Sequence, residues 1–199
     1  MPPIIAYHIV FGAYGFWLPN DPRGSWSTTV RALNLVPFGP PIPANTRRSR
    51  APAPHDHKLR FAAKAALKYP AVRFTQAQIQ CVAAAFGGVG RDYCLPCYAA
   101  AIMPDHVHMV IARQAQTAEA WTGYFKRAAS RALRTAGLHP FADRPLPGDR
   151  LPTPWAEGGW RVYLHTPQEI RHRMRYVEQN PIHAGLSPQH WDFITIYAP

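Results

Sequence analysis

The run Ala101-Ile102-Met103-Pro104-Asp105-His106-Val107-His108-Met109-Val110-Ile111 admits few placements. Successive side chains of an extended chain point to opposite faces, so Val107, Met109 and Ile111 share one face and His106 and His108 the other. The apolar face needs a core, so this segment reads as a half-buried strand after a tight turn or bulge at Pro104-Asp105. The two imidazoles lie about 7 Å apart along that strand. Two histidines so placed can converge on one divalent cation. They can equally be polar residues on the wet face of a sheet.

Around this strand the chain alternates helix and strand signals. Ile4 to Phe11 reads as a first strand. Gly12, Gly15, Pro19, Asn20, Asp21, Pro22 and Gly24 then break regular structure, so Gly12 to Trp26 is expected to be a structured loop. Trp17 and Trp26 in it are expected to pack on the body, with stacking on nucleobases as the alternative. Six prolines and Arg47, Arg48 and Arg50 make residues 37–56 an extended basic insertion. It would lie along a nucleic-acid backbone or act as a solvated tether. Helices are predicted over His57–Tyr69, ended by Pro70, and from an N-cap at Thr75 with Gln78 as its capping-box partner to about Phe86. Tyr93–Met103 reads as a strand, and the histidine strand follows it to about Arg113. A third helix follows from Thr117 to about Ala136, ended by Gly137, with Trp121, Phe125, Ala128, Ala132 and Leu133 as its apolar stripe. Lys126, Arg127, Arg131 and Arg134 decorate its remainder, as a solvated face or as phosphate contacts. Trp155–Leu164 gives a turn and a short strand. Thr166, Pro167 and Glu169 are an N-cap, a first-turn proline and a capping-box acid that open a last helix, expected to stop at Asn180 before Pro181. This order suits one α+β domain over residues 1–199, an antiparallel sheet with helices on one face.

Charge narrows the partner class. The chain has 22 Lys and Arg against 11 Asp and Glu, a formal net charge of +11. An arginine-rich excess of this size suits a polyanion, because phosphate contacts release counterions and guanidinium binds phosphate through two N–H groups. No apolar run reaches the roughly 18 residues that a membrane span needs. Met1-Pro2-Pro3-Ile4 lacks the basic start of a signal peptide. Three cysteines do not make a disulfide framework, so a reducing cytoplasm is expected. Cys94-Leu95-Pro96-Cys97 has no second pair at zinc spacing and reads as packing thiols, and His55-Asp56-His57 is a weaker metal candidate in a loop.

The last helix supplies the second half of a site. Ile170, Met174 and Val177 form its buried edge, and Glu169, Arg173, Tyr176 and Asn180 form a strip beside it. Taken together, Pro104-Asp105-His106-Val107-His108 followed by Tyr176-Val177-Glu178-Gln179-Asn180-Pro181 resembles the HUH single-tyrosine transposases. Within them the chain is most similar to the REP-associated tyrosine transposases, relatives of the single-strand DNA transposases of insertion sequences. Ile182-His183-Ala184-Gly185-Leu186, the Trp155–Trp160 stretch and Tyr7-His8-Ile9 fit as well. The likeness covers roughly residues 4–14 and 93–197.

That resemblance implies a ferredoxin-like or RRM-like fold with the histidine motif on a central strand. It implies metal-dependent cleavage and transfer of single-stranded DNA beside a hairpin. His106 and His108 match the metal ligands, Tyr176 the nucleophile, and Asn180 a third ligand where related insertion-sequence transposases carry Gln. Mg²⁺ prefers oxygen ligands and Mn²⁺ accepts imidazole more readily, so either ion is compatible. Attack by the phenol would leave a 5′-phosphotyrosine and a free 3′-OH, and the retained ester energy would let another 3′-OH reverse the step without ATP. Family members act as monomers or homodimers, in some with the tyrosine helix serving the partner's histidines. Tyr124, near Lys126 and Arg127, is a rival nucleophile. A domesticated, non-catalytic hairpin-DNA-binding protein on the same fold is the alternative function. A replication initiator or relaxase fits less well, because the chain has no helicase or second domain.

Overall fold

The computed structural model describes residues 2–25, 27–43 and 53–198. Its ordered elements are β1 (Ala6–Gly12), α1 (His57–Ala65), α2 (Gln76–Asp92), β2 (Cys97–Ile102), β3 (His106–Ala112), α3 (Ala118–Thr135), β4 (Trp160–Leu164) and α4 (Pro167–His183), with a 3₁₀ segment at Leu33–Phe38. The strands form one sheet in the order β2-β3-β1-β4, and every neighbouring pair is antiparallel. Leaving α1 and α4 aside, β1-α2-β2-β3-α3-β4 in this spatial order is the ferredoxin-like arrangement. The strand that carries His106 and His108 is one of the two inner strands.

Alternation along the strands builds two cores. Ile9 and Phe11 of β1 join Val107, Met109 and Ile111 of β3 beneath Val82 and Phe86 of α2 and Trp121, Phe125 and Leu133 of α3. On the opposite face, Ala6, Ala99, Ala101, Val110 and Leu164 meet Ile170 and Val177 of α4. Small alanines on that face let α4 lie close to the sheet. The expectation of helices on one face therefore holds for α2 and α3, while α4 covers the other. Each fully buried large side chain contributes roughly 1.5–3 kcal/mol.

The helix starts follow their sequence signals, as does the end of α3 at Gly137, while α1, α2 and α4 end elsewhere than those signals predict. Thr75 and Thr166 each form a capping box, with Gln78 and Glu169 as partners. Helix α1 stops at Ala65, short of Pro70, because Leu67 packs beside Leu18, Leu35 and Ala63, and the Tyr69 ring reaches Tyr14 and Phe141. Helix α2 continues past Phe86 through Gly87 and Gly88. An added Cβ at Gly87 would lie 3.3 Å from that of Phe193, so this glycine lets the C-terminal segment pack against the helix. The helix closes at Cys94, with φ of 48°, where Leu95 N–H donates to the Gly90 carbonyl at 2.9 Å. The following strand consequently starts at Cys97, after the predicted Tyr93. Helix α4 runs through Pro181 to His183. It ends at Gly185, with φ of 73°, where Gly185 N–H donates to Ile182 and Leu186 N–H to Pro181, a Schellman closure. Pro181 sits in the last turn, where the only intrahelical bond lost is the one its missing N–H would make.

Among the described residues, no helix is long and apolar enough to cross a membrane. Arg47, Arg48 and Arg50, most of the expected basic insertion, and Trp26 lie outside the described residues.

Candidate active site

The histidine strand presents its polar face to α4. The hairpin at Pro104-Asp105 brings β3 back along β2, with Met103 N–H donating to the His106 carbonyl at 2.8 Å. His106 then opens β3, and His108 follows on the same face. The two rings are 4.9 Å apart between centroids and nearly perpendicular. In α4, Tyr176 precedes buried Val177 by one residue, which turns its ring towards the edge of the α4–sheet contact. That ring lies 5.7 Å from His108 and 5.8 Å from His8. A single chain thus brings the neighbouring His106 and His108 together with Tyr176, which comes much later in the sequence. The Tyr176 side of the cluster remains open, with the residue 36% exposed.

Each histidine nitrogen has a different neighbour. Nδ1 of His106 donates to Asp105 Oδ1 at 2.7 Å, and the other Asp105 oxygen takes Arg73 at 3.1 Å. Burial acts to raise the Asp105 pKa, but the His106 hydrogen bond and the nearby charges of His106, Arg73 and Lys64 outweigh it and hold the carboxyl below its usual value. The ionised carboxylate accepts from His106 Nδ1, a carboxylate–histidine arrangement of the kind that suits cation ligation through the other ring nitrogen. Phe16 stacks on the His106 ring at 4.7 Å and 16°. Gly12 allows this contact: a Cβ there would lie 3.0 Å from the Phe16 ring.

His108 faces inward. Its Nδ1 lies 3.2 Å from Nε2 of His8, which stands on the same sheet face of β1 and is fully buried. Burial lowers the pKa of His8 to about 3, with Arg173 adding to the effect. Burial likewise holds His108 well below the usual histidine value, helped by the charges of His106, His8 and Arg173. Both rings are therefore neutral near pH 7. His8 was missed as a candidate from sequence. It sits on the first strand, and only the β1–β3 register, which pairs Val10 with His108, shows that the two rings are diagonal neighbours.

Arg173, one turn before Tyr176, places its guanidinium 5.9 Å from the centroids of both Tyr176 and Trp160. Asn180, one turn after, donates Nδ2 to the Tyr176 carbonyl at 2.9 Å. Its amide oxygen is then the atom of ligand type. Among the described residues, no three His, Cys, Asp or Glu side chains converge on one point. The structure brings two imidazoles together, His106 and His108, and imidazole donors suit a divalent cation of the Mn²⁺ type more readily than Mg²⁺.

Other candidates lie apart from this cluster. Helix α3 covers the opposite face of the sheet. Tyr124 there packs on Tyr93 and Trp121 beneath Arg127. Arg127 and Arg131 are exposed on the same helix. Lys126, expected among the phosphate contacts, instead donates to the carbonyls of Ala156 at 2.7 Å and of Gly158. It holds the turn before β4. Trp17 packs as expected, under the Arg23 guanidinium and with its indole N–H on the Gly24 carbonyl. Cys94 is exposed and Cys97 buried, so the pair does not form a common site. The rings of His55 and His57 lie 4.0 Å apart, tilted at 43°, but Asp56 between them caps α1.

No family model and no curated protein sequence matches the chain. Among solved structures, a REP-associated tyrosine transposase bound to a REP hairpin is similar, with 13% identity, a TM-score of 0.47, and coverage of 94% of this chain and 73% of that one. A protein of Deinococcus radiodurans R1 assigned as a transposase is similar with 12% identity, a TM-score of 0.44, and coverage of 89% of this chain and 91% of that one.

Proposed function

We propose that the chain is a transposase-type endonuclease and strand transferase acting on single-stranded DNA beside a hairpin, with Tyr176 as nucleophile. The observation that carries this reading is the meeting of the His106, His108 and Tyr176 rings on the sheet face that α4 covers, at its exposed Tyr176 side and within a single chain. The sequence motifs that resemble the HUH single-tyrosine transposases are the ones that meet there.

Each residue has a separable task. His106 and His108 would hold a divalent cation, with Asn180, one turn beyond Tyr176, as the candidate third ligand. When bound, that cation supplies neutralisation of charge on the scissile phosphate as five oxygens crowd the phosphorus. Asp105 engages His106 through Nδ1, so Nε2 would be its ligating nitrogen. Arg173 places positive charge beside the phenol, where it would attract the phosphate. The Tyr176 oxygen attacks phosphorus, its O–H bond having given a proton to solvent. The bond from phosphorus to the 3′ oxygen breaks, and that oxygen takes up a proton to become a 3′-OH. A 5′-phosphotyrosine remains, and attack by another 3′-OH reverses the exchange with the phosphoester count unchanged. The net charge of +11 supports a nucleic-acid substrate. One chain contains the whole cluster, so a monomer suffices for this chemistry, and the reading does not require a homodimer.

The test uses an end-labelled single-stranded hairpin oligonucleotide with Mn²⁺ or Mg²⁺ and a denaturing gel. The wild-type protein is expected to form a covalent adduct, and Tyr176→Phe to form none while still shifting the hairpin on a native gel. An adduct that survives in Tyr176→Phe removes Tyr176 as nucleophile. Binding with no adduct in the wild type, on hairpins of varied sequence, replaces catalysis with hairpin binding alone.

A further inference from the structure

His8 has no task in the chemistry above, yet it is among the most enclosed polar side chains of the protein. It is fully buried, with the rings of His108, Trp160 and Tyr176 at 5.5, 5.3 and 5.8 Å. Its Nε2 meets His108 Nδ1 at 3.2 Å, and its Nδ1 has no hydrogen-bond partner. We propose that His8 is a positioning residue that decides which nitrogen of His108 carries the proton, and so whether His108 can ligate a cation. This rests on the reading of His106 and His108 as cation ligands.

The argument is a count of protons. A neutral imidazole has one N–H and one lone pair. One proton therefore occupies the His8–His108 hydrogen bond, and there are two ways to place it. In the first, His8 Nε2–H donates to His108 Nδ1. His108 then carries its own proton on Nε2 and has no lone pair for a cation. His8 Nδ1 is left bare, a buried acceptor without a donor. In the second, His108 Nδ1–H donates to His8 Nε2. His108 Nε2 is then free to ligate, and the His8 proton sits on Nδ1, a buried donor without an acceptor.

An unpartnered buried N–H is rarer in folded proteins than an under-used acceptor. The first arrangement is therefore favoured without a cation, and the second is required with one. Cation binding reverses the direction of the hydrogen bond between two buried rings. The bond that results also aims His108 and makes its ligating nitrogen more basic, as outer partners of metal-bound histidines do.

Nitrogen-15 NMR of the wild-type protein with labelled histidine reads this directly. On addition of Zn²⁺, a diamagnetic probe, His8 Nδ1 is expected to change from a bare to a protonated nitrogen as His106 and His108 report ligation. Mn²⁺ binding, followed by loss of the free-ion electron paramagnetic resonance signal, is expected to weaken about 10- to 100-fold in His8→Phe. His8→Gln, whose amide oxygen can accept from His108 Nδ1, should restore most of it. If Zn²⁺ binds at His106 and His108 while the His8 tautomer stays fixed, the inference fails and the proposed function stands. The same holds if a His8→Phe protein with a native circular-dichroism spectrum binds Mn²⁺ as tightly as the wild type. If neither ion binds the wild-type protein, the reading of the site and this inference fall together.

Discussion

Lys126 shows what a basic residue in a basic protein can be doing. Its ammonium holds the carbonyls of Ala156 and Gly158 in the turn that feeds β4. Burial lowers its pKa from the ordinary 10.5 to about 8, against the opposing pull of Glu157. Between those values the unfolded chain binds a proton that the folded chain does not, so this residue makes stability rise with pH across that window. A neutral amine still has two N–H bonds for two carbonyls. Urea unfolding of the wild type and of Lys126→Met at about pH 7.5 and about pH 9.5 should show the difference moving in favour of the wild type by about 1 kcal/mol, allowing for partial exposure. A pH-independent difference would refute that account. Charge alone could not reveal this inward role, because the sequence does not contain the two carbonyls as a feature. The same holds for His8: its parity on the first strand is plain, but its partner depends on a register between segments 100 residues apart. By contrast the shared strand face of His106 and His108, and the one-turn spacing of Tyr176 and Asn180, were legible, because alternation in a strand and spacing on a helix are local.

At the scale of elements, helix starts were legible, whereas among the helix ends that of α3 at Gly137 was legible and those of α1, α2 and α4 were not. Thr75-x-x-Gln78 and Thr166-x-x-Glu169 announce α2 and α4 through side chains that satisfy their own first-turn N–H groups. The end of α2 is decided by Phe193 and the segment around it, more than a hundred residues after the helix begins. It closes on Cys94 in a left-handed conformation, with φ of 48°. Glycine is the usual occupant of that position, because a Cβ there crowds the backbone. Cys94→Gly is therefore expected to raise the unfolding free energy by about 1 kcal/mol, read as a higher urea midpoint at unchanged slope. The side chain is exposed and its thiol makes only a long contact to the Arg91 carbonyl at 3.9 Å, so little is lost with it. A lower midpoint would mean that Cys94 contributes something other than a helix end.

For the molecule as a whole, the question is how a four-stranded sheet of this kind avoids pairing with another. Strand β2 lies at one edge of the sheet. An edge strand offers unpaired N–H and C=O groups to any passing chain. Here the C-terminal segment covers that edge. The Gln189 side chain donates to the Ile102 carbonyl and accepts from the Ile102 N–H, both at 2.8 Å, so one amide imitates a neighbouring strand. Further along, Thr195 N–H donates to the Cys97 carbonyl at 2.7 Å, and Ile194 bridges to Cys97. Ile102 is fully buried, so its backbone groups have no water to turn to if the amide is removed. Gln189→Ala should cost roughly 1–3 kcal/mol in urea unfolding, the range for leaving buried polar groups unsatisfied. It should also make the elution volume on size exclusion depend on protein concentration, because the uncovered edge becomes a template for a second copy. The proposed site lies across the α4 face and contains neither Gln189 nor Ile102. Adduct formation per folded molecule should therefore be preserved in this variant. A variant that unfolds as the wild type does and stays monomeric at high concentration would show that the sheet edge is guarded by the remaining tail contacts instead.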